Sequence, residues 1–181
     1  TFKVKATDFK DILPVMGTVK GQKEIGLKFE INGVVSAMNF REGDKVKKGQ
    51  VVARLDPKDA LLRLEYAKKK LASAESNYDM NKKRLQIIDG LYKTGAVIQL
   101  KLEEAQLEAE KARLEMETIK QEVEIAQREL EKTSLLAPQD GVIGAKDAEV
   151  GEFVTPQEKI ASLVDIEKVF VEVGIIEKDI E

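Results

Sequence analysis

The longest regular pattern in the chain is a heptad seam between Asp56 and Thr133. On both sides of a break at Asp89–Gly95, mostly apolar residues recur in steps of three and four over about four to five heptads. The seam residues are Leu64, Ala67, Leu71, Ala74, Tyr78, Asn81, Leu85 and Ile88 before the break, and Leu102, Ala105, Ala109, Ala112, Met116, Ile119, Val123, Ala126, Leu130 and Thr133 after it. A seam of this length favours a coiled coil over the amphipathic helices of a compact core.

The break between the two seams contains Gly90 and Gly95, which are poor helix formers. We therefore predict one antiparallel hairpin over residues 57–133, with its tip near residues 89–98 and each arm burying its seam on the other. At 1.5 Å per residue, each arm is roughly 50 Å long. A rod of this length has to project from a separate folded body.

Two glycine-punctuated segments on either side of the predicted hairpin resemble each other. Gly33-Val34-Val35 matches Gly141-Val142-Ile143, and further matches follow at the same offset with no gap: Ala37 with Ala145, Gly43 with Gly151, Val46 with Val154, and Leu55 with Leu163. A β half-motif of about 24 residues is too small to bury a face alone. We predict an α+β fold in which the halves close into one small β-sandwich with the hairpin inserted between them. Two separate β modules are the alternative.

The junctions of the predicted elements carry matching local signals. Asp56 is a suitable N-cap followed by Pro57 at the first helical position, and Ala137-Pro138 is expected to stop the second helix. Short strands are predicted at Ile12–Val19 and Ile25–Phe29. Alternation over Ile166–Val173 predicts a further strand that could pair with Phe2–Ala6 and start a third module.

Composition argues against several functional classes. The 181 residues contain neither cysteine nor histidine, and the net charge of −3 arises from interleaved acids and bases. We therefore expect no enzyme activity, no metal site, no cofactor and no nucleic-acid partner. The sequence has no apolar run of about 18 residues and no signal-peptide pattern, so any membrane anchor or export signal is expected outside these 181 residues.

The β segments look like the two halves of a biotinyl-lipoyl-like domain. The first half runs from Gly33 through Arg41-Glu42-Gly43-Asp44-Lys45-Val46-Lys47-Lys48-Gly49-Gln50 to Leu55-Asp56. The second runs from Glu131 through Leu136-Ala137-Pro138-Gln139-Asp140-Gly141-Val142-Ile143 to Gly151-Glu152-Phe153-Val154. A lipoyl-like domain split by a helical hairpin resembles the periplasmic adaptor proteins, also called membrane fusion proteins.

This resemblance implies a domain division and a set of partners. The lipoyl-like sandwich would occupy residues 13–56 and 134–166, and residues 1–12 and 167–181 would belong to a partial β-barrel. The implied function is a periplasmic adaptor, anchored to the inner membrane by a segment outside this chain. It would join an inner-membrane transporter to an outer-membrane channel and self-associate as a trimer or hexamer.

The hairpin tip is the first candidate interaction site. In adaptors of resistance-nodulation-division pumps, the tip resembles an arginine, a leucine four residues later and a serine seven further on. These positions fall at Ile87, Leu91 and Ile98, so only the leucine matches. A proton-driven pump of this type is the favoured partner, and an ATP-driven exporter of macrolides or proteins is the alternative. Leu91, Val97 and Ile98 either seal the end of the hairpin or dock onto another helical tip.

A second candidate site comes from the heptads and not from the resemblance. With Leu102 at position a, three leucines fall at position f, opposite the seam: Leu100, Leu107 and Leu114. They are either ordinary surface leucines or a contact between protomers.

Two functions of other classes stay open. One is a lipoyl or biotinyl carrier subunit of an enzyme complex. Against it, the turn that would present the modified lysine is replaced by the hairpin, and Lys58, Lys132 and Lys146 lie elsewhere. The other is a free coiled-coil scaffold that forms an antiparallel dimer through the position-f leucines.

Overall fold

The computed structural model describes residues 17–173, and at residues 17, 19–23, 166–169 and 173 it describes the backbone alone. Two long helices interrupt a set of short strands. In chain order the elements are β1 (Gly17–Leu27), β2 (Gly33–Met38), β3 (Lys45–Val46), β4 (Val51–Leu55), α1 (Lys58–Lys93), α2 (Gln99–Glu131), β5 (Ser134–Leu136), β6 (Gly141–Lys146), β7 (Phe153–Val154) and β8 (Ala161–Val173).

The helices pack on each other as the predicted hairpin. Every predicted seam residue on α1 and α2 is buried or half-buried, whereas most residues on the other faces are exposed. Two ion pairs cross the hairpin, Arg63–Glu129 at 3.4 Å and Lys70–Glu122 at 2.7 Å. Arg63 and Lys70 lie seven residues apart on α1. Their partners Glu129 and Glu122 also lie seven residues apart on α2, but in the reverse order along the chain. One antiparallel register therefore holds along this part of the hairpin.

The helix ends differ from the predicted bounds. α1 continues through Gly90 to Lys93, so the turn is shorter than the predicted break at Asp89–Gly95. One glycine inside a helix costs only about 1 kcal/mol relative to alanine, and the ion pair between Asp89 and Lys93 (2.7 Å) spans Gly90 within the helix. α2 ends at Glu131, and β5 separates it from Pro138, so Ala137-Pro138 does not stop the helix as predicted.

The strands form two four-stranded antiparallel sheets, ordered β1-β8-β6-β3 and β5-β4-β2-β7. Each sheet contains strands from before and after the hairpin. The predicted single sandwich is therefore confirmed, and two separate β modules are excluded. The repeat relates β1 to β5, β2 to β6, β3 to β7 and β4 to β8. Exchanging these equivalent strands converts the order of one sheet into the order of the other.

Backbone hydrogen bonds between the halves obey the same two-fold relation. The Val35 N–H donates to the Glu152 carbonyl at 2.9 Å, and the equivalent Ile143 N–H donates to the Asp44 carbonyl, also at 2.9 Å. Leu27 pairs with Ala161 just as Leu135 pairs with Ala53. The equivalent pairs Gly26–Ser162 and Ser134–Arg54 extend the relation by one more residue, so the repeat reaches back at least to Gly26 and Ser134, earlier than the sequence matches indicated.

The core of the body lies between the two sheets and draws on both halves. Its most deeply buried apolar residues, all at most 1% exposed, are Val35, Val52, Ala53, Leu55, Val154, Ile160, Ala161 and Leu163. Leu55 and Leu163 occupy equivalent positions in the repeat. Because each half supplies side chains to the same interior, neither half has a complete core of its own.

Two strand predictions need correction. The structure has one strand over Gly17–Leu27, which passes through Gly21 with a change of register between Gly21 and Lys23. Within the described residues, the predicted strands Ile12–Val19 and Ile25–Phe29 are therefore parts of one strand. Phe29 lies after the end of that strand. β8 includes the predicted strand Ile166–Val173, and this part of β8 pairs with β1, whereas its earlier part also pairs with β6. Phe2–Ala6 lies outside the described residues, so the pairing suggested for it stays a prediction.

Candidate interaction surfaces

The hairpin tip is a tight turn built on one glycine. Gly95 has a φ of +74°. Its N–H donates to the Tyr92 carbonyl, and the Ala96 N–H donates to the Leu91 carbonyl, both at 2.9 Å. These two bonds form a Schellman motif, which satisfies carbonyls that the end of α1 leaves free. The first backbone N–H groups of α2 receive no side-chain acceptor from the N-cap residue, because that residue is Ile98.

The tip presents apolar side chains to solvent. Ile87 is 64% exposed, Leu91 40% and Ile98 66%, whereas Val97 is half-buried. Ile98 has little contact with the rest of the hairpin, so burial within this chain does not explain an apolar residue there. Val97 is the member of the set that helps to close the end of the hairpin.

The leucines at position f of α2 are exposed, as predicted. Leu100 is 57% exposed, Leu107 71% and Leu114 50%. Further along the same face, eleven residues beyond Leu114, Ile125 is also exposed. We call these four residues the α2 stripe.

A second exposed apolar face lies on α1 and was missed by the sequence reasoning. Its members are Leu62, Tyr66, Met80, Ile87 and Leu91. Neighbouring members of this set are 4, 7 or 14 residues apart, and residues at these separations lie on nearly the same side of an α-helix. The five residues therefore share one face, which we call the α1 stripe. The spacing was readable from the sequence, but polar residues at positions 69, 73 and 76 interrupt it and hide the pattern.

Charged residues on the helix surfaces are held in local networks. Arg113 binds Glu110 at 2.6 Å and Glu117 at 2.5 Å on the same helix. The hydrogen bond from Arg113 lowers the pKa of Glu110, and the hydrogen bond from Lys70 to Glu122 raises the pKa of that lysine. These groups are exposed, so they orient side chains more than they stabilise the fold.

Ion pairs connect the base of the hairpin to the body. Lys132 binds Glu30 at 2.8 Å, next to the end of α2. At the other arm, the Asp56 carboxylate accepts the Lys58 N–H at 3.1 Å and binds the Lys58 ammonium at 3.2 Å. The first bond satisfies a backbone N–H at the start of the helix, but the N-cap residue is Pro57 and not Asp56 as predicted, because the Pro57 carbonyl accepts the first helical bond, from the Leu61 N–H at 2.8 Å. Lys58 and Lys132 are thus engaged at the two hairpin junctions.

Residues 17–173 include no group of three or more acidic residues placed to hold a metal ion. None of the helices in that range combines the length and the apolar character needed to cross a bilayer. The connection between β4 and β5, where a carrier domain would present its modified lysine, is the hairpin itself.

A two-fold barrel-sandwich body with a helical hairpin inserted between its halves defines the class of membrane fusion proteins. The chain belongs to the family of CzcB-like barrel-sandwich hybrid domains, whose family model matches residues 27–165. The matched residues include the whole hairpin and most of both halves of the body.

Individual relatives agree with this assignment. The chain is 26% identical over 140 residues to the multidrug resistance protein MdtA of Yersinia pestis (strain Pestoides F), covering 77% of this chain and 32% of that protein. It thus spans about a third of the length of this relative. The fold is shared with the periplasmic adaptor protein EmrA (TM-score 0.60, 17% identity, 91% of this chain and 79% of that one). It is also shared with the membrane fusion protein Spr0693 of Streptococcus pneumoniae R6 (TM-score 0.66, 17% identity, 88% of this chain and 67% of that one).

Proposed function

We propose that the chain is the body and hairpin of a periplasmic adaptor in a three-part efflux pump. In this role it joins an inner-membrane transporter to an outer-membrane channel, and its action is mechanical and not enzymatic. The observation that carries the proposal is the long hairpin inserted between the two halves of one β body, with an exposed apolar tip at its far end. With 36 residues, α1 spans about 54 Å, enough to hold that tip far from the body.

The proposal assigns the two ends of the molecule to different partners. The tip residues Ile87, Leu91, Val97 and Ile98 contact the outer-membrane channel. At the opposite end, β1 and β8 continue as a long pair that reaches Val173, in the direction of the proposed partial β-barrel of residues 1–12 and 167–181. The attachment to the inner membrane lies outside the described residues.

We assign a proton-driven transporter of the resistance-nodulation-division type as the preferred partner. Of the three-residue tip pattern of such adaptors only the leucine is present, as Leu91, which is 40% exposed; Ile87 and Ile98 depart from the pattern. The gene next to this one tests the choice, since a large proton-driven permease agrees with it and an ATP-binding permease contradicts it.

Drug export by cells that carry tip variants tests the adaptor role. The gene is deleted, which should raise drug accumulation, and then restored as wild type, Ile98→Glu or Ala72→Glu. Ile98→Glu should abolish the rescue and leave the melting temperature almost unchanged, because the side chain is 66% exposed. Ala72→Glu is the control for adding a charge to an exposed helix position outside the seam and the α1 stripe, and it should rescue fully.

Other results would contradict specific parts of the proposal. If deletion leaves drug accumulation unchanged for a broad panel of compounds, the adaptor role is wrong. If Ile98→Glu lowers the melting temperature together with export, Ile98 seals the hairpin and is not a docking residue. If the variant exports normally, the tip does not contact the channel through Ile98.

The proposal includes self-association as a trimer or hexamer, with the α2 stripe as one contacting surface. Each leucine of the stripe would gain about 1.5–3 kcal/mol on full burial. That is enough for Leu100, Leu107 and Leu114 to bias a weak association between protomers. Replacing all three with glutamine should loosen the assembly without unfolding the hairpin.

A further inference from the structure

We propose that the hairpin consists of two units, and that the distal unit opens while the proximal unit stays closed. The distal unit, which contains the tip, comprises residues 76–117, and the proximal unit, next to the body, comprises residues 58–75 and 118–131. The proposal concerns the chain by itself and does not depend on the proposed function. Three observations carry it: the burial of the seam, the contacts between the arms, and a polar seam residue, Asn81.

The seam is more deeply buried in the proximal unit. Leu64, Ala67 and Ala74 of α1 are 5–7% exposed there, and the first two form an apolar cluster with Ala126 of α2. The distal seam residues of α1 are only half-buried: Tyr78, Asn81, Leu85 and Ile88. The buried residues of α2 in the distal unit are all alanines: Ala105, Ala109 and Ala112. Because hydrophobic stabilisation grows with the apolar area removed from water, the distal seam is the weaker one.

The polar contacts between the arms follow the same division. The ion pairs that cross the hairpin, Arg63–Glu129 and Lys70–Glu122, both lie in the proximal unit. Within the part of the chain that the structure describes, each ion pair of the distal unit joins side chains of one helix: Asp89–Lys93, Lys101–Glu104, Arg113–Glu110 and Arg113–Glu117. Two clefts, of about 290 and 340 Å³, also lie between the distal parts of the arms. The distal arms are therefore held to each other by fewer contacts.

Asn81 places a polar side chain in the distal seam. Its amide donates to the Asn77 carbonyl at 2.9 Å and to the Asn77 side-chain oxygen at 3.1 Å, so both bonds stay within α1. The side chain borders the cleft of about 290 Å³, which Ile88 and Ala105 also line. An asparagine in a coiled-coil seam costs stability, because a leucine in its place would bury apolar surface on the partner helix. Asn81 therefore lowers the free energy needed to separate the distal arms.

The distal unit carries the exposed apolar residues of the tip, Ile87, Leu91 and Ile98. When this unit opens, the distal arms separate but stay joined through the turn at Gly95, and the body and the proximal unit remain folded. A partner that binds the closed tip has to shift this opening equilibrium, so its apparent affinity falls in proportion to the closed fraction. The composition of the distal seam therefore controls how readily the tip is bound.

Amide hydrogen exchange of the purified full-length protein, measured by mass spectrometry, tests the division into two units. After correction for intrinsic exchange rates, amides of residues 78–88 and 102–112 should exchange at least about ten-fold faster than those of residues 60–74 and 119–130, with a step at the boundary. Equal protection in both units would overturn the proposal, and so would a smooth gradient from tip to body, which indicates simple fraying. Because the protein is purified, the result is independent of drug export.

The same measurement on two variants tests the role of Asn81. Asn81→Leu should slow exchange in the distal unit about ten-fold and leave the proximal unit unchanged, because it adds apolar contact in the distal seam. Asn77→Leu is the matched control, since it makes the same change of residue type and removes the same side-chain bond at an exposed position. It should slow distal exchange by less than about three-fold, as its higher helix propensity predicts. Equal slowing in both variants, or none in Asn81→Leu, would refute the role of Asn81.

Discussion

The β body and the hairpin bury their side chains to different extents. The body encloses Leu55, Ile160 and Leu163 at 0–1% exposure between two sheets. The hairpin has a single seam whose most buried residues are mainly alanines at 4–8% exposure, and it leaves nine large apolar residues of its two stripes in solvent. The body is thus a closed core, whereas the hairpin is a thin element with apolar surface still available. We therefore expect the body to contribute more than the hairpin to the free energy of unfolding.

Truncating one leucine in each region is the strongest test of this difference. Leu163→Ala removes a fully buried side chain from the body, and we expect a loss of about 2–5 kcal/mol in the free energy of unfolding. Leu64→Ala makes the same chemical change in the seam, at 5% exposure, and should fall at the low end of that range because two helices can close on the space. Denaturant unfolding gives both values.

Amide hydrogen exchange identifies the elements that each substitution destabilises. Leu163→Ala should speed exchange in the strands of both halves, since the halves share one core. Leu64→Ala should speed exchange in α1 and α2 and leave the strands protected. If both variants lose the same free energy of unfolding and show the same exchange pattern, the body and the hairpin unfold as one unit and do not differ in stability.

Much of this architecture could be predicted from the sequence because it follows from periodicity. A heptad seam needs a partner helix, and the identical offset between Gly33 and Gly141, or Leu55 and Leu163, required two halves of the same shape. The family resemblance rested on the same segments. These features are set by many residues acting together, so a single unfavourable residue does not obscure them.

The sequence predicts helix ends less well, because they depend on single residues. Gly90 does not end α1, since its cost is small and the Asp89–Lys93 ion pair spans it. Pro138 does not end α2, since α2 ends at Glu131 and β5 lies between them. The α1 stripe has a spacing that the sequence contains, but a polar interval separates its apolar residues, and the measured exposure makes the pattern clear.

The two glycines near the tip give a smaller and more local test. Gly95 has a φ of +74°, so Gly95→Ala should destabilise the hairpin by about 1–2 kcal/mol. Gly90 lies inside α1, and a Cβ placed there would meet nothing within 4 Å. Gly90→Ala should therefore stabilise the hairpin by about 0.5–1 kcal/mol.

Thermal melts and helix content by circular dichroism measure both variants. Opposite signs would confirm that α1 is helical through Gly90 and that the chain reverses at Gly95. If Gly90→Ala destabilises the hairpin, the break lies at Asp89–Gly95 as the sequence first indicated. A change in drug export with no change in stability would instead make the tip backbone part of the contact with the channel.

The smallest expected effect concerns Asp56, where the body meets the hairpin. Hydrogen bonds from the backbone and side chain of Lys58 lower the pKa of the Asp56 carboxyl below its ordinary value of about 3.9. The charged form is therefore favoured by folding, so its contribution is complete above the ordinary pKa and is lost as the pH falls through the lower, folded value. NMR titration of the carboxyl should show the lowered midpoint. Asp56→Asn keeps a hydrogen-bond acceptor for the Lys58 N–H but cannot titrate, so it should remove only this part of the acid sensitivity of α1. If α1 in the Asn variant frays with the same pH dependence as the wild type, another group controls the acid sensitivity of the junction.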